Sequence, residues 1–374
     1  MNVWFTDADC DLKDFRVLVE QVTDPHDYPR ARTVELNVPV YGLDVADRRE
    51  LQSELVRALA EGPGIVVFRE AFDPAVVDRA TAVFQRMIAE QKESGVVGGD
   101  HFAKPGANDR VWGALDKFAL RDPAAFAEYY ANDVLALVSE AWLGAGYQVT
   151  SQINVVNPGG QAQVAHRDYH LGFMSQEQAL RYPAHIHQLS PALTLQGAVA
   201  HVDMPMETGP TLYLPHSQKY PAGYVAFHRA EFTEYFEANH VQLPLRKGDA
   251  AFFNPALFHG AGTNHSRDVR RMANLLQVSS AFGRAMEDVD RTAMATALYP
   301  VLREMSDPAA VRNVVAASAE GYAFPTNLDR DQPVDGLAPQ TQAELVLRAL
   351  RERWSSDRFT TELRAHAGRR IASA

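Results

Sequence analysis

His166-Arg167-Asp168 places an imidazole and a carboxylate two residues apart, and a second histidine follows far downstream in Phe252-Phe253-Asn254-Pro255-Ala256-Leu257-Phe258-His259-Gly260. On extended backbone alternate side chains point the same way, so positions i and i+2 can grip one metal ion together. One strand cannot wrap an ion, so the third ligand comes from elsewhere in the chain. Two imidazoles and one carboxylate on one face of an iron ion leave three positions open, the arrangement of non-haem Fe(II) oxygenases. His166, Asp168 and His259 are therefore the candidate metal ligands and catalytic residues.

The chain around them changes character along its length. Gly64-Ile65-Val66-Val67-Phe68-Arg69 reads as a buried strand, and Asp73-Pro74 as a cap and first residue of a helix carrying Val77, Ala80, Phe84 and Ile88 on one face. Asp122-Pro123 and Asp307-Pro308 repeat that start signal. The middle third reads as strands at Gln148 to Val156, Leu193 to Val202, Thr211 to Leu214, Ala250 to Phe253 and Met272 to Ser279, separated by Gly, Pro and Asn clusters. Ala343, Val346, Leu347, Leu350 and Trp354 form a helical stripe too short for a coiled coil, so a docked helix is expected. The pattern predicts an α+β chain: a β core at about 145–282 between helical N- and C-terminal segments, with 1–374 as a single catalytic domain.

Bulk properties narrow the function classes. Of 374 residues 46% are apolar, enough for a sizeable core, and the net charge of −11 argues against nucleic acid or an anionic membrane as partner. The single cysteine, Cys10, excludes an intrachain disulfide. The acidic first ten residues lack a signal-peptide pattern, and no apolar run reaches the roughly 18 residues needed to cross a bilayer. The expectation is a cytoplasmic protein acting on a small molecule, with its oligomeric state open.

Other histidines compete for the metal. His201-Val202-Asp203 also precedes His259, but it closes an apolar run and enters a Pro-Gly turn where aspartate is a turn former. His185-Ile186-His187 is a further pair. Beyond His259, Arg270-Arg271 precede the alternating Met272-Ala273-Asn274-Leu275-Leu276-Gln277. An arginine aimed into a metal cavity suits a dicarboxylate co-substrate, because guanidinium binds carboxylate through two charge-assisted hydrogen bonds. Adjacent strand residues face opposite ways, so one of the two arginines points inward.

Several segments resemble the phytanoyl-CoA dioxygenase family of Fe(II)/2-oxoglutarate-dependent oxygenases. They are Gly64 to Asp73, His166-Arg167-Asp168-Tyr169-His170, the run Gly209-Pro210-Thr211-Leu212-Tyr213-Leu214-Pro215-His216-Ser217-Gln218-Lys219, and Lys247-Gly248-Asp249 leading to His259. His216 stands where the family usually has glycine, and Ala261 where some relatives have serine. The resemblance covers about residues 60–285. It implies a double-stranded β-helix (a cupin-like jelly roll) flanked by helices, with Fe(II), 2-oxoglutarate and O2 as cofactor and co-substrates. It places the 2-oxoglutarate clamp at Arg270, and Gln152, Asn154 and Gln196 on inner strands, where they either bind the co-substrate or satisfy buried backbone.

The implied reaction is hydroxylation, or another oxidation, of an unactivated C–H bond in a small molecule, with release of succinate and CO2. A secondary-metabolism intermediate fits the acidic balance as well as a fatty acid does. No concentrated basic surface suggests a CoA ester. The stretch His101 to Trp112 is a candidate pocket wall, and Gly321 to Asp329 a loop or lid without an assigned role. The alternatives are a cupin-like metal-dependent isomerase or hydrolase, and a non-catalytic ligand-binding barrel.

Overall fold

The computed structural model describes residues 3–43, 47–95, 107–334 and 336–371. Its described strands are β1 (Thr33–Glu35), β2 (Val38–Tyr41), β3 (Ile65–Phe68), β4 (Asn108–Val111), β5 (Gln148–Val156), β6 (Thr194–Ala200), β7 (Leu212–Leu214), β8 (Ala250–Phe253), β9 (Phe258–Gly260) and β10 (Arg271–Ser279). Eight of them form one sheet in the order β1-β2-β3-β8-β6-β10-β5-β4, antiparallel except between β2 and β3. β7 and β9 form a second, small sheet. Isolated bridges extend it, from His166 to His259 on one side and from Tyr213 to Val241 on the other.

The period-2 pattern of each large-sheet strand explains why two different environments meet there. On β10, Met272, Leu276 and Val278 join the main apolar core, while Arg271, Ala273, Leu275 and Gln277 face a cavity. β8 divides the same way, with Ala250 and Phe252 in the core and Ala251 and Phe253 on the cavity. The core side is covered by helices. Pro74–Glu93 buries Val77, Ala80, Phe84 and Ile88, the predicted stripe. Its Asp73 carboxylate accepts from the Ala75 amide, and Asp122 and Asp307 cap Pro123–Tyr130 and Pro308–Ser318 likewise. Each such cap contributes about 1 kcal/mol. At the C-terminus Gln342–Arg351 docks through Leu345, Val346 and Ala349, and Trp354 is buried just beyond it.

The small sheet has its own support. Leu212, Leu214 and Phe258 point away from the cavity into a second apolar cluster with Phe15, Tyr220, Phe232 and Phe236. Phe15, from the helix Leu12–Val19, packs 5.1 Å from the Phe258 ring, next to His259. The two sheets thus enclose the cavity between them, each backed by apolar packing.

His201 belongs to the core rather than to a metal site. Its Nδ1 lies 2.8 Å from the Thr81 hydroxyl and its Nε2 3.0 Å from the Tyr129 hydroxyl. Thr81 donates to the Val77 carbonyl, so it accepts from His201 Nδ1–H, and Tyr129 donates to Nε2. Asp203 instead accepts from the Lys247 backbone amide. His187 is buried with Nε2 3.1 Å from the Ala179 carbonyl, while His185 is exposed on the helix Ala184–Ala192.

Burial pushes the His201 imidazole down from its ordinary 6.5 to about 3. In the unfolded chain this histidine takes up a proton below about pH 6.5, while the folded chain resists it until about pH 3. The unfolded state therefore binds more protons across that window, and stability falls as pH falls, by about 1.4 kcal/mol per unit for one such group. Urea midpoints measured from pH 7 to pH 4 should decline steeply in the wild type and less steeply in His201→Gln. Equal slopes would show that His201 is not buried neutral.

Candidate metal centre

The site is built on one backbone pairing. His166 N donates to the His259 carbonyl at 3.0 Å and His259 N to the His166 carbonyl at 3.1 Å. That reciprocal bridge makes the two histidines direct cross-strand neighbours, with side chains on the same face. Their ring centroids lie 4.4 Å apart. Asp168 follows two residues after His166 and is fixed by its amide bond to the Pro255 carbonyl at 2.9 Å. Its carboxylate oxygens lie 3.8 Å from His166 Nε2 and 3.5 Å from His259 Nε2. One ligand atom from each of the three residues falls within 4.8 Å of the others.

The protonation pattern suits a metal. Each histidine donates Nδ1–H to a backbone carbonyl two residues earlier, His166 to Val164 and His259 to Leu257, both at 2.9 Å. A carbonyl only accepts, so the proton sits on Nδ1 and the Nε2 lone pair faces the site. Burial raises the pKa of the Asp168 carboxyl. His166, His259 and the donated Gln196 amide outweigh burial and hold the group below the ordinary carboxylate range. The donor set is two imidazoles with Nε2 toward the site and one ionised carboxylate, which fits a divalent first-row ion with open positions.

A cavity of about 510 Å³ extends from the triad. Gln152, Asn154 and Gln196 all line it. Gln196 bonds Asp168, and Gln152 donates to the Met286 sulfur at 3.2 Å. Thr150, on the same face of β5, instead bonds the Gln277 carbonyl.

Arg270 requires a correction: it does not reach this cavity. Its guanidinium pairs with Asp109 at 2.7 Å and with Asn157 at 3.1 Å, in a groove on the other side of the sheet with Val155 and Met272. Arg271 lines the cavity instead. β10 begins at Arg271, opposite Val156, and this register turns 271, 273, 275 and 277 inward. Arg271 is buried, donates from Nη1 to the Thr208 and Gly262 carbonyls at 3.1 Å, and has no carboxylate partner among the described residues. Burial pushes it down to about 10, so it stays charged at neutral pH.

Of the candidate wall 101–112, His101 to Gly106 lie outside the described residues, whereas Arg110 and Trp112 line the cavity. Residues 321–329 do not line it; Tyr322 packs edge-on against Phe282, with ring centroids 5.5 Å apart. Ala261 lines it, and His216 adopts φ 70°, the conformation that explains why glycine is usual there.

Several supporting residues carry no sequence signal. The Tyr224 hydroxyl donates to the Tyr169 carbonyl at 2.7 Å and lies 3.1 Å from the Asp168 carbonyl, steadying the backbone at the ligand. Arg167 points away from the triad, fully buried against Tyr224 and Phe258, and donates to the Ser217 and Tyr220 carbonyls. Tyr213, the cross-strand partner of His259, lines the cavity beside Arg271.

No curated protein matches the chain. Among solved structures, the epimerase SnoN in complex with Fe3+, alpha ketoglutarate and nogalamycin RO is 19% identical over 63% of this chain and 85% of its own, with a TM-score of 0.44. The carbocyclase SnoK from nogalamycin biosynthesis is 21% identical over 63% and 86%, with a TM-score of 0.41. AviO1 from Streptomyces viridochromogenes Tue57 is 18% identical over 64% and 98%, with a TM-score of 0.45. The family model for phytanoyl-CoA dioxygenase (PhyH) matches residues 60–272, a span that runs from just before β3 into β10 and contains all three members of the triad. By that match, over more than half its length, the chain belongs to the phytanoyl-CoA dioxygenase family.

Proposed function

We propose that the chain is a non-haem iron, 2-oxoglutarate-dependent oxidoreductase acting on a small molecule, with His166, Asp168 and His259 as the iron ligands and Arg271 as the 2-oxoglutarate clamp. The observation that carries this is Arg271: a buried guanidinium without a carboxylate partner, in the cavity that holds the triad. A buried cation of this kind calls for an anionic ligand, and guanidinium suits a carboxylate best. The two facing sheets are read as a double-stranded β-helix, and the whole chain as one catalytic unit.

Iron bound there, with 2-oxoglutarate and O2, supplies the oxidation of an unactivated C–H bond with release of succinate and CO2. The protein's residues do the rest. The Nδ1–H bonds to Val164 and Leu257 fix both imidazole planes and turn each Nε2 toward the metal position. Gln196 occupies one lone pair of Asp168 and so limits how that carboxylate swings. Arg271 is itself held by two carbonyls, which pre-organises its remaining donors for a carboxylate. Val67, Leu243, Leu245 and Phe253 make the surrounding wall apolar and exclude water from that ion pair. Hydroxylation is the outcome proposed first; desaturation, ring closure and epimerisation use the same site.

Anaerobic titration of the Fe(II) protein with 2-oxoglutarate should develop a visible metal-to-ligand charge-transfer band, absent in His166→Ala. No band from folded, iron-loaded wild type would favour a metal-dependent isomerase or hydrolase. Arg271→Ala should raise the 2-oxoglutarate concentration for half-saturation by roughly a hundredfold, the size of a lost charge-assisted pair. Arg270→Ala should change it little, and the reverse ranking would return the clamp to Arg270. Gln196→Ala should weaken iron binding by about ten- to a hundredfold in competition with a chelator, while an unchanged affinity would deny Gln196 a role at Asp168.

A further inference from the structure

Granted the reading above, Arg271 marks the co-substrate end of the cavity, and the other end is left for the substrate. Cross-strand register shows what lines the face that runs from Arg271 to that end. Gln277 lies at the far end of inward-facing β10 from Arg271. Gln152 pairs with Leu275, and Asn154 pairs with Ala273 on one side and Arg110 on the other. Three carboxamides, Gln152, Asn154 and Gln277, therefore share one inward face of two adjacent strands. Beside them the Trp112 ring carries the Arg110 guanidinium 4.5 Å from its centroid.

These amides are poorly satisfied by the protein. The side-chain oxygens of Asn154 and Gln277 have no donor among the described residues, while the Gln152 amide lies against the Met286 sulfur, a weak acceptor, and the Glu287 carboxyl. A partnerless buried carboxamide costs stability and is retained where a ligand completes it. The terminal torsion of Asn and Gln is broad, so either end of the amide can turn to the cavity. The matching partner is a hydroxyl, which donates and accepts as an amide does. A hydrocarbon leaves the amides unsatisfied, and a carboxylate brings no donor to their oxygens. An ammonium donates to their oxygens but accepts nothing from their N–H groups, so it completes only half of each amide.

We infer that the substrate is an uncharged, hydroxyl-bearing ring compound whose hydroxyls are read by Gln152, Asn154 and Gln277 and whose apolar face lies on Trp112. The full chain loaded with Fe(II) and 2-oxoglutarate is screened for succinate release with two size-matched panels. One holds methyl glycosides, inositols and polyhydroxylated aromatics; the other holds cycloalkane carboxylates, cycloalkylamines and hydroxyl-free aromatics. Stimulation above the substrate-free rate is expected only from the first. Asn154→Leu and Gln277→Leu should each raise KM for the best compound about tenfold, more than they raise KM for 2-oxoglutarate. Wild-type-like melting temperatures check that the variants fold. Stimulation by the hydroxyl-free panel, or by neither panel while the charge-transfer band forms, overturns the inference. So does an unchanged substrate KM in both variants. Absence of the band itself takes down the metal reading, and this inference with it.

Discussion

The reciprocal backbone bridge between His166 and His259 is the constraint on which the site depends. It brings two distant stretches of chain into register, sets the two rings side by side, and leaves Asp168 to close the third position. A slip of one residue by either segment would turn its own imidazole out of the cavity and part the pair. The register is defended on both sides. β7 pairs with β9 through Tyr213 opposite His259, and Leu212, Leu214 and Phe258 anchor the outer face in apolar packing.

Two buried guanidiniums show how alternation separates roles. Arg167 and Arg271 both have their ordinary pKa lowered by burial to about 10. Arg167 lies between His166 and Asp168 in sequence but on the opposite face, where carbonyls and aromatic rings surround it. It ties the ligand segment to the turn at Ser217–Lys219. Arg271 has carbonyls on one side and open cavity on the other. Similar desolvation thus serves rigidity at one position and leaves an unfilled charge at the other.

Much of this was legible in the chain. The triad stands out because His166, Asp168 and His259 fall on strand-like stretches with turn chemistry between them. The long strands at 148–156 and 271–279 and the capped helices announce themselves by period and by Asp-Pro starts. Other features were hidden for physical reasons. Choosing between Arg270 and Arg271 requires the residue at which β10 begins, and that is set by pairing with Val156 rather than by composition. β4 and β9 are too short to show a period, although β9 carries His259 of the triad. The Tyr224 bonds to the backbone at Asp168 and Tyr169 are contacts across the fold that no local pattern encodes.

The packing of Phe15 against Phe258 also bears on how the protein is made. The helix Leu12–Val19 leaves the ribosome early, yet its apolar partners reside between Ala165 and Phe258. β3 likewise waits for β8. Until the chain has been synthesised through β9 the small sheet is not whole and His166 has no partner strand, and the large sheet waits for β10. The His166, Asp168 and His259 side chains therefore come together only late in synthesis, and before that the nascent chain carries exposed apolar surface that its cellular surroundings must shield.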